Sequence, residues 1–153
     1  MIRARIGFLI VLIAGALPGA VRGQPICGPD RITARSVADT IFVQHAQATR
    51  NCCTDLQLQV HTVAFVANFY EAETGTSCHC TCCFVLRYEA HGFAAGRYLV
   101  RVWDEQGTVL YGETEVDVSG VGTAPTVGWA DRGDCQGEPI RSATWAMIRG
   151  LYE

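Results

Sequence analysis

The densest chemistry in the chain is the run Cys78-His79-Cys80-Thr81-Cys82-Cys83. Three kinds of chemistry use such a run. Cys78, His79, Cys80 and Cys82 are soft ligands of the type that hold Zn or Cu. Cys80 and Cys83 form a C-x-x-C, the spacing of thiol–disulfide exchange. Paired cysteines, finally, would make the run a structural staple. The redox reading needs its first cysteine at a helix N-terminus, where the helix dipole lowers the thiol pKa. The residues after Cys83 alternate as a strand, so that activation is missing. The metal reading lacks the separated ligand pairs of known Zn spacings. Disulfides are therefore the favoured reading of this run, together with Cys27, Cys52, Cys53 and Cys135, an even total of eight cysteines.

Other candidate groups are sparser. His45, His61, His79 and His91 have no carboxylate at a telling spacing and read as surface or edge residues rather than catalysts. Glu113, Glu115 and Asp117 share one face of a strand, either as part of a Ca²⁺ site or as a solvated face that discourages edge-to-edge pairing. Leu99, Trp103 and Tyr111 read as an outward apolar-aromatic patch, open to a partner or covered by the tail. There is no G-x-S-x-G, nucleotide loop or H-E-x-x-H, and no residue is assigned a catalytic role. All twelve basic residues are Arg, so a Schiff-base or phosphate-loop lysine is excluded. No cofactor is expected.

The cysteine reading depends on compartment. Arg3 and Arg5 precede an apolar run over 6–17, then Pro18, Gly19 and small residues suited to cleavage after Ala20 or Gly23. That order describes a secretory signal peptide, and the run is well short of the ~20 residues that span a bilayer. Removal of 1–23 leaves nine Arg against fifteen acidic residues, a charge of −6. An acidic surface argues against nucleic acid and anionic membranes as partners. The mature part, expected to be secreted or periplasmic and without a membrane span, is long enough for one domain with one core.

These side chains must be positioned by strands. Ile41 and Val43, then Leu56, Leu58 and Val60, alternate with polar neighbours. Val63, Phe65, Ala67 and Phe69 continue on odd numbers, which requires a bulge or turn near His61 and Thr62. Phe84, Leu86 and Tyr88, then Tyr98, Val100 and Val102, then Val116 and Val118, alternate on even numbers. Loops are expected around Gly75, over 92–96, and at Asp104-Glu105-Gln106-Gly107. Short strands with turns every ten or so residues predict an all-β antiparallel sandwich over 24–118. Residues 119–153 read as a loop-rich tail, packed on the domain or extending from it. Within it, 142–152 reads as a short helix, a last strand or an unstructured end.

The stretch Phe93-Ala94-Ala95-Gly96-Arg97-Tyr98-Leu99-Val100-Arg101-Val102 resembles the turn and strand of fibronectin-type and immunoglobulin-like sandwiches. With Asn51-Cys52-Cys53 and Cys78-His79-Cys80-Thr81-Cys82, residues 31–118 resemble uncharacterised bacterial secreted Ig-like domains. The resemblance implies an Ig-like fold and a corner role for Tyr98, whose hydroxyl would bond backbone across the turn. It implies no activity. The chain departs from the pattern by Cys83, by the missing Pro in the turn, and by the tail with Cys135.

The expected function is a secreted, non-enzymatic structural or binding module that meets another extracellular protein or a glycan through its aromatic patch. The alternative is a metal-binding or thiol-redox protein using the 78–83 run. If the strands that begin near Leu56 and Phe84 are neighbours, alternation predicts that Cys53 bonds Cys83 and that Cys52 bonds Cys82 or Cys80. Cys27 and Cys135, one before the sandwich and one after it, are expected to bond each other.

Overall fold

The inner rows of two neighbouring strands set the architecture. In the computed structural model, which describes residues 27–141 and their side chains as far as 136, strand β2 (Thr40–Asn51) pairs antiparallel with β5 (Cys80–His91). Ile41 and Val43 on one, and Phe84, Leu86 and Tyr88 on the other, turn inward on alternate positions and are buried. β1 (Arg31–Val37) flanks β2. On the far side of β5 lie two short strands in succession, β8 (Thr126–Asp131) along residues 87–91 and β9 (Gln136–Arg141) along 80–83. The facing sheet has the order β3-β4-β6-β7, built from β3 (Asp55–Val63), β4 (Val66–Thr74), β6 (Ala94–Asp104) and β7 (Leu110–Val121). Phe69, Tyr98, Val100, Val102 and Val118 supply its half of the core. Each large apolar side chain fully buried there contributes about 1.5–3 kcal/mol.

The fold is thus all-β in two sheets, and the expected core positions on β5 and β6 are buried. Leu56, Leu58 and Val116 pack against that core while staying partly exposed, because β3 and β7 are edge strands. Three expectations need correction. First, the sandwich is not wholly antiparallel: β4 and β6 run parallel, from Val66 beside Leu99 to Glu71 beside Asp104. The β3–β4 hairpin thereby places β4, not β3, against β6. Second, the phase change expected near His61 is the β3–β4 turn itself, at Ala64 and Phe65, with Ala64 at φ 52°. Third, the chain beyond Val118 is not all irregular. β8 and β9 complete the sheet beside β5, and the glycines and prolines in and around them conceal the strand pattern.

Tyr98 is buried, its ring 5.4 Å from Phe65 and 5.2 Å from Phe93. Its hydroxyl makes no hydrogen bond among the described residues, so it acts here as an aromatic wedge rather than the hydrogen-bonded corner expected of it. The expected signal peptide (1–23) and the segment 142–152 lie outside the described residues. No helix among the described residues is long and apolar enough to cross a membrane.

Candidate functional site

All eight cysteines are bonded. The pairs are Cys27–Cys83, Cys52–Cys80, Cys53–Cys78 and Cys82–Cys135, with Cα atoms 5.5, 5.4, 5.7 and 5.7 Å apart. Cys52 and Cys53 both cross to the 78–83 run, and Cys52 takes one of its expected partners. Cys53 does not bond Cys83, because the neighbour of β5 is β2 and not β3. The two cysteines sit in the turn that leaves β2, where Asn51 stands opposite Thr81 and the Cys52 N–H donates to the Cys80 carbonyl at 3.1 Å. The Asn51 side chain organises this turn by accepting from the N–H groups of Cys53 and Cys78. Arg132 clamps it from the tail, donating to the carbonyls of Asn51, Cys52 and Thr54. Nor does Cys27 bond Cys135. Each bonds one member of the adjacent pair Cys83 and Cys82, which as neighbours on a strand face opposite ways. The chain segments on both sides of the sandwich are therefore tied to one strand. These bonds occupy the sulfurs of Cys78, Cys80 and Cys82 that the metal reading requires, they bond Cys80 and Cys83 to other cysteines rather than to each other as the C-x-x-C reading requires, and His79 is exposed. The disulfides point to an oxidising environment.

The titratable residues that meet are ones that local spacing did not bring together. His45 is fully buried, contrary to its reading as a surface residue. It continues the inner row Ile41, Val43 on β2, and Glu71 continues the inner row Ala67, Phe69 on β4. His45 Nδ1 lies 3.0 Å from both Glu71 carboxylate oxygens, and Nε2 lies 2.8 Å from Asp30. The Tyr88 hydroxyl donates to Glu71 at 2.9 Å, and Arg50 donates to its other oxygen. Burial disfavours the His45 cation, but the hydrogen bonds and charges of Glu71 and then Asp30 outweigh it and raise the pKa. Burial, and then Glu71, push the Tyr88 phenol well up.

Two bulges build this cluster. On β2, Gln47 is an extra residue at φ 65°, between Ala46 beside Val85 and Ala48 beside Phe84. It reverses the phase, so that His45 before it and Arg50 after it both turn toward Glu71. On β7, Tyr111 is the extra residue between Leu110 beside Trp103 and Gly112 beside Val102. It turns inward, with its ring 5.2 Å from His45 and the Arg50 guanidinium 4.6 Å over it. Gly112 is small because a Cβ there would stand 2.8 Å from Ile32 on β1. The cluster carries two acids and two bases, and every buried side-chain N or O among the described residues has a partner. It anchors the two sheets to each other. A cleft of about 350 Å³ beside Arg50, Glu73, Glu105 and Tyr111 opens above it.

Tyr111 therefore does not share a patch with Leu99 and Trp103. Trp103 faces outward and donates its indole N–H to Asn68 on β4 at 3.0 Å, and Leu99 is only partly exposed. On the same sheet, Glu113, Glu115 and Asp117 face Arg101 and Arg97 at 3.0, 3.3 and 3.6 Å, so the acidic row is a solvated ion-pair ladder.

The open aromatic surface is on the other sheet. Cross-strand register places Arg35, Phe42, Glu89 and Trp129 in one row across β1, β2, β5 and β8, and Thr33, Gln44, Arg87 and Asp131 in the row beside it. Thr33, Arg35, Phe42, Gln44, Arg87 and Trp129 of these rows line a shallow groove of about 600 Å³, and Glu89 and Asp131 stand beside it. Trp129 is 49% exposed. The Arg35 guanidinium lies 4.1 Å from the centre of the Phe42 ring. Arg35, Gln44 and Glu89 make no side-chain hydrogen bond among the described residues, and Arg87 reaches Asp131 only at 3.8 Å. The sequence signal was present in the alternation of Thr33, Arg35, Phe42 and Gln44, but Trp129 lay in the stretch read as tail. Comparison of the chain with family models, curated proteins and solved structures finds no match.

Proposed function

We propose that the chain is an exported, non-enzymatic binding module of immunoglobulin-like character, and that its ligand surface is the outer face of the β1-β2-β5-β8 sheet. The observation that carries this reading is the row Arg35–Phe42–Glu89–Trp129, a half-exposed indole and a stacked arginine beside polar groups that have no side-chain hydrogen bond among the described residues. Concave surfaces of mixed aromatic and convergent polar character are where ligands settle. The support for a binding role over catalysis is the state of the buried cluster, whose His45 and Glu71 are saturated by partners inside the protein. The basic and apolar start of the sequence and the four disulfides support export through a cleaved leader. The strand placed parallel to β6 is a variation on the immunoglobulin arrangement in this reading. The test is amide NMR of the oxidised mature protein with a mixed library of saccharides, peptides and nucleotides. Binders are expected to shift Gln44, Arg87 and Trp129. Binders that shift only residues around Arg50 and Tyr111 would contradict it.

A further inference from the structure

We infer that the ligand of the groove is an uncharged oligosaccharide chain lying across the strands, an inference that rests on the binding surface just proposed. The charge pattern comes first. The groove is lined by two guanidinium groups, Arg35 and Arg87, and two carboxylates flank it in the same rows, Glu89 between Phe42 and Trp129 and Asp131 3.8 Å from Arg87. A polycation would meet both arginines, and a polyanion following the row would pass beside both acids, one of them already facing Arg87, so like-charge contacts oppose either one. A polyhydroxylated neutral chain meets donors and acceptors in turn, since each hydroxyl both donates and accepts.

The aromatic spacing comes second. Phe42 on β2 and Trp129 on β8 are separated by β5 alone, and both belong to the row through Glu89. Two interstrand steps are about 9.6 Å, the reach of two to three linked pyranose rings. The C–H face of one ring would stack on the Trp129 indole. The other end of the chain would run over the Arg35–Phe42 pair, where stacking on the phenyl ring holds the guanidinium flat and leaves its N–H groups to donate. Gln44 and Arg87 then lie beneath the middle rings, with Glu89 beside them. The surface is rigid, because β2 and β5 are central strands and β5 carries a cysteine bond at each of Cys80, Cys82 and Cys83. A preordered surface loses little entropy on binding.

The experiment is calorimetric titration of the oxidised mature protein with cellotetraose, chitotetraose and mannotetraose. A galacturonate tetramer and a glutamate tetrapeptide are the charged probes, and binding sites are mapped by amide NMR. At least one neutral tetrasaccharide is expected to bind and shift Gln44 and Trp129. Trp129→Ala is expected to weaken it by about tenfold or more, and Trp129→Phe by less, since the phenyl ring keeps part of the stacking face. Arg35→Ala gives a second weakened variant at the other end of the row. If only charged probes bind, and they map to this groove, the ligand class is overturned and the binding surface stands. If a neutral chain binds wild type and Trp129→Ala alike, its placement is overturned. If no probe shifts the groove and binders shift the Arg50–Tyr111 cleft, both the ligand class and the surface are overturned.

Discussion

His45 and Glu71 stand 3.0 Å apart in the middle of the sandwich, although 26 residues separate them in the chain. Each occupies the inward position that follows two apolar residues on a central strand. The pair is completed by Arg50 and Asp30, so that charges of both signs are buried together with no unpartnered side-chain atom among the described residues.

Removing the acid at the centre of this set leaves Arg50 and His45 buried without it. Glu71→Ala is expected to destabilise the protein by about 3–5 kcal/mol. Tyr88→Phe, which removes one donor and leaves the charges paired, is expected to cost about 1 kcal/mol. Urea denaturation of the oxidised variants measures both, and equal losses would mean that Glu71 is not the hub.

The same cluster sets a pH dependence. The folded pKa of His45 is raised because Glu71 and Asp30 outweigh the penalty of burial, whereas the unfolded value is about 6.5. The contribution of the protonated ring is therefore complete below about pH 6.5 and is lost as pH rises through the folded value. Urea midpoints are expected to fall over that range on the alkaline side of 6.5. His45→Phe is expected to remove this slope while lowering stability overall. A slope that persists unchanged in the variant would assign it to another group.

The β7 bulge predicts a size limit. In Gly112→Ala the new Cβ would meet Ile32 at 2.8 Å, and the overpacking is expected to cost about 1–3 kcal/mol. Ile32→Val is expected to relieve part of it in the double variant. A stable Gly112→Ala protein with an unshifted melting temperature would show that β1 and β7 do not approach as described.

The disulfide connectivity predicts unequal effects. Cys27–Cys83 spans 56 residues and Cys53–Cys78 spans 25. Replacing the first pair by Ser is expected to cost about 4 kcal/mol, somewhat more than replacing the second, because the longer loop restricts the unfolded chain more. Non-reducing peptide mapping reads the pairs directly. A Cys27–Cys135 peptide would contradict this connectivity.

Strand alternation made the middle of the fold legible. Phe84, Leu86 and Tyr88 on β5 and Tyr98, Val100 and Val102 on β6 announce a buried face with period two, and they are buried. What alternation could not show was which strands meet. β4 beside β6 is a parallel pairing across the chain, and with β2 rather than β3 beside β5, Cys53 bonds Cys78 instead of Cys83 while Cys52 keeps an expected partner in Cys80. Bulges hid the polar cluster. Gln47 and Tyr111 each insert one residue with no glycine of their own to mark the site, so Arg50 and Tyr111 face the opposite way from a straight count. The outer groove was half legible. Phe42 and Gln44 sit at regular outward positions, but Trp129 sits among Gly120, Gly122, Pro125 and Gly128, which interrupt the strand formers every two or three residues.

The binding surface is tested most directly by a crystal structure of the oxidised mature protein with a neutral tetrasaccharide bound. The account predicts a sugar ring stacked on Trp129, with the chain crossing Glu89 and Arg87 toward the Arg35–Phe42 pair. A saccharide lodged instead against Arg50 and Tyr111, with the face around Trp129 bare, would contradict it.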